Sequence, residues 1–277
     1  MRILIAGCGY VGCALGSTLA SGGHEVFGLR RNPGVLPSSI HPVAADLSKK
    51  VSPEDLPTDL NFVFYTASAG GSDDEAYKAA YVDGPRNLVE ALASRGEDLR
   101  RFFFTSSTGV YGQSDGEWVD ESSPTEPQTF SGRRLLEGER TVTGSSFPTT
   151  VLRLAGIYGP GRTRSIKRAL ENPTGDPAVY SNRIHREDCA GVLRHLMLLQ
   201  EPEQIYLGVD SEPTDRRTVA EWLSYRLGEP LSETSKSGGG RRTNKRCSNA
   251  RLLSSGYEFL HPTFREGFAG LMDEVRG

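Results

Sequence analysis

The feature that most constrains this chain is a glycine turn set between an apolar run and an amphipathic stretch. Arg2-Ile3-Leu4-Ile5-Ala6 reads as a strand, Gly7-Cys8-Gly9-Tyr10-Val11-Gly12 is G-x-G-x-x-G, and Val11, Leu15 and Leu19 then recur at helical spacing. In that context Gly7 permits the tight turn, Gly9 lets the backbone approach a pyrophosphate, and Gly12 lets the helix close on the strand. Unpaired amides at a helix N-terminus favour an anion there, so Gly7, Cys8, Gly9, Tyr10, Val11 and Gly12 are expected to hold a dinucleotide. The alternative is a glycine turn without a ligand.

Further apolar runs fall at Val26 to Leu29, Phe62 to Thr66, Phe102 to Thr105 and Val151 to Ala155, with helical patterns between them. Such nearly continuous runs suit strands covered on both faces, and their alternation with helices predicts an α/β fold. We expect a Rossmann-type doubly wound parallel sheet with a smaller C-terminal substrate-binding lobe. The expected boundaries are a core at 1–156, with 179–210 returning to it, and a lobe at 157–178 and 211–277. In the last third, 184–200 reads as a helix and 204–209 as a strand. Thr218 to Glu221 and Thr263 to Glu266 read as capping boxes that open helices.

The second strand ends in Arg30-Arg31, where a carboxylate would serve a ribose 2′-hydroxyl. Guanidinium groups pair instead with a 2′-phosphate, which favours NADP(H), with NAD as the alternative. One arginine could equally stack on adenine while the other faces solvent. Asp46-Leu47 ends the next strand, where an adenine edge could be read.

A net charge of −3 gives no electrostatic case for a nucleic-acid partner. Four scattered cysteines and five histidines form neither a disulfide framework nor a zinc pattern, so no metal is expected. The N-terminal run lacks a signal-peptide pattern and no 18-residue apolar run occurs, so the expectation is a cytoplasmic protein without membrane association. Residues 232–246 are polar, with Gly238 to Gly240 followed by Arg241, Arg242, Lys245 and Arg246. They read either as a mobile loop with solvated charge or as a lid gripping an anionic substrate.

Five segments then resemble the extended short-chain dehydrogenase/reductase family, the NAD-dependent epimerase/dehydratase group. Tyr65-Thr66-Ala67-Ser68-Ala69 is similar to its fourth-strand segment beside the cofactor, and Gly84-Pro85-Arg86-Asn87-Leu88 to its G-T-x-N-L helix. Thr105 to Gly112 resembles S-S-x-x-V-Y-G, Arg153 to Gly161 resembles R-x-x-x-x-Y-G-P-G, and Arg183 to Asp188 resembles R-x-x-H-x-x-D. The resemblance implies that Thr66, Ala67 and Ser68 line the cofactor. It also implies a small-molecule substrate, and a homodimer formed through a four-helix interface.

The chain departs from the family at its Y-x-x-x-K signature. The matching stretch is Thr129-Phe130-Ser131-Gly132-Arg133, and none of the ten tyrosines has a lysine four residues on. Tyr81 stands where the family usually has asparagine. A threonine hydroxyl is a far weaker acid than a phenol, so Thr129 is not carried over as proton donor. Arg133 retains a cation that could hold the nicotinamide ribose or a phosphate.

The remaining candidates for chemistry are Ser107, Tyr158 and His185. Ser107 matches the family's carbonyl-binding serine, or it satisfies loop backbone. Tyr158 and His185 are alternative proton donors, and His185 reads equally as a structural histidine. Tyr111 reads as a packed aromatic, Asp188 as a residue orienting or capping the following helix, and Arg153 as a tie from strand to loop. Two functions follow. One is NADP(H)-dependent hydride transfer on a small polar, sugar-like or carbonyl substrate. The other is an inactive NADP(H)-binding redox sensor.

Overall fold

In a computed structural model, residues 1–163, 166, 169, 179–228 and 244–276 are described. The strands, in chain order, are β1 (Arg2–Ala6), β2 (Glu25–Arg30), β3 (His41–Ala44), β4 (Phe62–Tyr65), β5 (Arg101–Ser107), β6 (Glu117–Val119) and β7 (Thr149–Leu154). They continue with β8 (Gly156–Tyr158), β9 (Tyr180–Ser181), β10 (Arg183–His185), β11 (Ile205–Gly208), β12 (Thr214–Asp215) and β13 (Lys245–Cys247). The helices used below are α1 (Tyr10–Ser21), α2 (Asp74–Lys78), α3 (Gly84–Ser94), α4 (Phe130–Thr143), α5 (Arg186–Leu198), α6 (Arg216–Leu227), α7 (Ala250–Ser254), α8 (Phe264–Ala269) and α9 (Met272–Arg276).

The main sheet has seven strands in the order β11-β7-β5-β4-β1-β2-β3, and the pairings from β3 across to β5 are all parallel. This is the doubly wound Rossmann arrangement: β1 has β2 on one side and β4 on the other, so the crossover direction reverses at the end of β1. The sequence dictates it locally. Ile3, Leu4, Ile5 and Ala6 are fully buried, as are Val63, Phe64 and Tyr65 on β4 and Phe102 and Phe104 on β5. A strand lined with such side chains on both faces cannot sit at a wet edge.

The chain divides into two compact units. The first comprises 1–110, 127–153 and 189–206, and the second 111–126, 154–188 and 207–277. In the first, Leu88 and Leu92 of α3 pack with Val63, Tyr65, Phe102 and Phe104 in one core. In the second, Tyr158, Val219, Leu223, Phe264, Phe268 and Leu271 form another. Among the described residues no helix is long and apolar enough to cross a membrane.

Three local expectations need correction. The helix after β10 begins at Arg186, because Arg183–His185 pair with Gly156–Tyr158 as a short parallel strand. Helix α6 is capped by Asp215, whose carboxylate accepts from the Thr218 amide at 2.9 Å, and Glu221 pairs with Arg217 instead of closing a box. The Thr218 hydroxyl also donates to that aspartate and, among the described residues, caps nothing itself. The Thr263–Glu266 capping box is present, but its helix ends at Ala269 and α9 follows separately. Residues 229–243, with Arg241 and Arg242, lie outside the described residues. Lys245 and Arg246 do not extend a solvated loop. Lys245 is buried and donates to the Tyr111 carbonyl, while Arg246 donates to the Gly116 carbonyl between the rings of Trp118 and Tyr180.

Candidate cofactor site

The glycine turn sits where β1 ends, held in the first place by backbone bonds. The amides of Gly7 and Cys8 both donate to the Leu29 carbonyl of β2, and the Gly9 amide donates to Gly7 O. Gly7 has φ +79°, and a Cβ there would stand 2.3 Å from the Cα of Ala67, so only glycine fits. A Cβ on Gly12 would meet Thr66 Oγ1 at 2.8 Å and Ile5 at 3.0 Å, which is the close helix–strand approach the spacing anticipates. Among the described residues no side chain caps α1, and its first turn holds no acidic residue to offset the positive end of the helix.

A cavity of about 470 Å³ opens beside this turn within the first unit. Gly7, Cys8, Gly9, Arg30, Arg31, Asp46, Leu47, Ala67 and Ser68, all singled out from sequence, line it. Tyr10, Val11, Gly12, Thr66 and Arg133 do not. Thr66 acts behind the wall, donating to the Gly7 carbonyl at 3.1 Å. Asn32, Ser48, Gly70 and the alanines at 76, 79 and 80 also line it and were missed. Ser48 follows directly on Asp46-Leu47, so the same strand-end signal could have found it.

The polar groups divide the cavity. Arg30 donates from Nη1 to the Cys8 carbonyl at 3.2 Å, which pins one guanidinium to the turn. Arg31 is exposed and reaches toward Gly70. Asp46 accepts from the Ser48 hydroxyl at 2.7 Å and the Ser48 amide at 3.1 Å. Those bonds, aided by Lys49 and Arg31, hold its carboxyl below the usual range. Asn87 donates to Leu47 O, so the resembling helix α3 positions the β3 end.

Ser107 ends β5, and its Oγ accepts from the Gly109 amide at 3.1 Å. The loop-satisfying reading therefore holds for its lone pair, while its proton meets no acceptor among the described residues. Thr129 is the N-cap of α4, accepting from the Gly132 amide at 3.1 Å, which gives a helix-starting reason for threonine at this position. Arg133 is exposed and donates to the Gln128 carbonyl. Tyr81 is half-buried in a π-helical turn, Ala79–Asp83, against the ring of Tyr77, and burial raises its phenol. Arg153 ties strand to helix. It makes a buried bidentate pair with Glu139 of α4 at 3.0 and 2.7 Å, and Glu139 also accepts from Ser106.

The second unit holds the other candidates. Tyr111 is fully buried. Tyr158 is buried edge-on against His185 and Phe268, and its hydroxyl has no partner among the described residues. Burial, reinforced by Asp210, pushes that phenol far above its usual range. His185 is buried, its Nδ1 accepts from the Glu187 amide at 3.2 Å, and burial with the neighbouring His261 pulls it down to about 4. It is therefore neutral at pH 7, which speaks against a general-acid role. Asp188 does not cap α5. Its oxygens accept from the Leu260 and His261 amides, the Tyr257 hydroxyl and His261 Nδ1, so it fixes the segment before α8. His185, Asp188 and His261 bring ligand-type atoms within 4.8 Å of one another, a cluster the linear histidine spacing did not reveal.

Fold and turn together define a doubly wound α/β protein with its candidate ligand cavity at the topological switch point. The profile of the NAD dependent epimerase/dehydratase family matches residues 3–189, and the chain belongs to that family. Protein YeeZ of Escherichia coli K12 is 34% identical over 218 residues, 73% of this chain and 74% of that protein. A Methylobacillus flagellatus structure assigned to the NAD-dependent epimerase/dehydratases is 36% identical with a TM-score of 0.81, covering 100% of this chain and 99% of the other. Human epimerase family protein SDR39U1, determined with NADPH, shares the fold at TM-score 0.81 and 19% identity, with 99% of each chain covered.

Proposed function

We propose that this protein binds NADP(H) in the cavity beside the glycine turn and transfers hydride to or from a small polar substrate carrying a carbonyl or sugar-like hydroxyl. The observation that carries the reading is the pairing of two features on adjacent strand ends. One is an uncapped helix start behind a turn that tolerates no Cβ at Gly7. The other is the pair of guanidiniums, Arg30 and Arg31, on the wall of the same cavity. The first suits a pyrophosphate and the second a 2′-phosphate. Asn32 would add a neutral donor beside them, and SDR39U1, of the same fold, was determined with NADPH.

When bound, the nicotinamide supplies the hydride. The chain's own residues would orient the substrate. Ser107, whose hydroxyl proton is not committed to the loop, would polarise the substrate oxygen. Arg133, exposed and donating to a backbone carbonyl, would hold a ribose or phosphate oxygen. With His185 neutral and Tyr158 pushed upward, water is the simplest proton source.

A second reading is favoured by Thr129, which is committed to capping α4 and leaves no phenol at that position. In it the protein binds NADP(H) and reports redox state without turnover. Adding a panel of carbonyl compounds, sugars and nucleotide sugars to the NADPH-bound protein separates the two. Loss of nicotinamide fluorescence with one class of compound supports the enzyme; inertness across the panel with tight NADPH binding supports the sensor. For the cofactor itself, Arg31→Ala should weaken NADPH by about 1–3 kcal/mol, the scale of a charge-assisted contact, while changing NADH little. Equal loss for both nucleotides would remove the 2′-phosphate assignment.

A further inference from the structure

The glycine turn carries two thiols. Cys8, at its second position, is buried; Cys13, on the first turn of α1, is half-buried, and the two sulfurs lie 4.0 Å apart. The Cys13 thiol and Arg30 converge on one carbonyl, for Cys8 O accepts from the Cys13 thiol at 3.6 Å and from Arg30 Nη1 at 3.2 Å. Behind them stands Gly28 of β2, where an added Cβ would lie 3.1 Å from the Cys8 sulfur. The pair therefore spans the start of α1, with the strand close on one side and partial access to solvent on the other.

We propose that Cys8 and Cys13 form a reversible thiol–disulfide site, oxidised by low-molecular-weight disulfides, whose closure loosens the hold of the turn on its dinucleotide. The second half rests on the reading of this cavity as the NADP(H) site. Cys13, the accessible thiol, loses its proton to solvent and attacks one sulfur of a disulfide such as oxidised glutathione. A mixed disulfide forms and one glutathione thiolate leaves. Cys8 then gives up its proton and attacks the Cys13 sulfur, the Cys8–Cys13 bond forms, and the second glutathione leaves as thiolate. Two protein thiols are oxidised and one disulfide is reduced to two thiols, with no other reactant. Burial and the neighbouring Cys13 raise the Cys8 thiol, so the second displacement is the slow one.

Closure must bring the sulfurs from 4.0 Å to about 2 Å. With Gly28 close behind Cys8, much of that movement falls on the turn between them, Gly9 to Gly12. Gly9 lines the cavity and the turn leads into the uncapped start of α1, and the shift also disturbs the Cys8 carbonyl that anchors Arg30. Both ends of the adenosine-diphosphate grip would loosen together.

The test equilibrates the full-length protein with graded ratios of oxidised to reduced glutathione. The same samples are read by intact mass, peptide mapping and NADPH titration. The expected result is loss of two hydrogens, a linked peptide containing Cys8 and Cys13, and about tenfold weaker NADPH binding, about 1.4 kcal/mol. Dithiothreitol should restore it. Cys13→Ser should bind NADPH equally at every ratio, and the buried Cys189 and Cys247 should remain thiols. Absence of the Cys8–Cys13 link at every ratio overturns the proposal, as does a formed link with unchanged NADPH affinity. A fully reduced protein that binds no NADPH overturns the switch and the cofactor reading together; it is told apart because it appears before oxidant is added.

Discussion

At the scale of single residues, position 7 concentrates the demands of the site. Its φ is +79° and a Cβ added there would stand 2.3 Å from Ala67 Cα, so alanine must displace the segment after β4. Gly7→Ala is expected to cost about 1–3 kcal/mol in backbone strain and to abolish nucleotide binding. Urea unfolding and calorimetry check the two effects separately. Asp210 offers a second test. Burial, partly offset by Arg183, raises its carboxyl to about 7, and Oδ2 has no partner among the described residues. Between about pH 4 and 7 the folded protein holds a proton that the unfolded chain has released. Its contribution is thus fully present below pH 4 and is lost as pH rises through 7. Asp210→Asn should flatten the fall in stability of the wild type between pH 5 and 8, measured by urea midpoints; parallel profiles for the two proteins would remove the assignment.

At the scale of elements, α4 is where long-range packing outweighs local sequence. Arg153 on β7 and Glu139 on α4 form a bidentate pair with both side chains about 95% buried. Arg153→Ala leaves a buried carboxylate whose one remaining named donor is Ser106, and should cost about 3–5 kcal/mol in urea unfolding. Thr129→Ala removes only the N-cap bond at the other end of the helix and should cost about 1 kcal/mol. The contrast shows what a sequence can and cannot disclose. The turn at Gly7 to Gly12 was legible because its constraints lie within six residues and the strand before them. The cap of α6 was misplaced because Thr218 and Asp215 both offer a capping oxygen, and the backbone path of β12 decides between them. The partners of Asp188 lie some seventy residues away, so no local pattern announced them. Lys245 and Arg246 read as loop charge until Tyr111 and Gly116 supplied their acceptors.

At the scale of the whole molecule, the seven-stranded sheet follows from an alternation of apolar runs that become its buried central strands. Chemistry is less legible, because it depends on which hydroxyl keeps a free proton and which cation stays unengaged. A ligand that binds only the folded chain must also stabilise it: NADPH at a hundredfold excess over its dissociation constant should add about 2.7 kcal/mol. Thermal unfolding with NADPH and NADH would register that as a larger rise for NADPH. The most direct measurement is calorimetric titration of the reduced, full-length protein with NADPH and with NADH. The account predicts one site per chain and at least about tenfold tighter binding of NADPH. No binding of either nucleotide, or equal affinity for both, would contradict it.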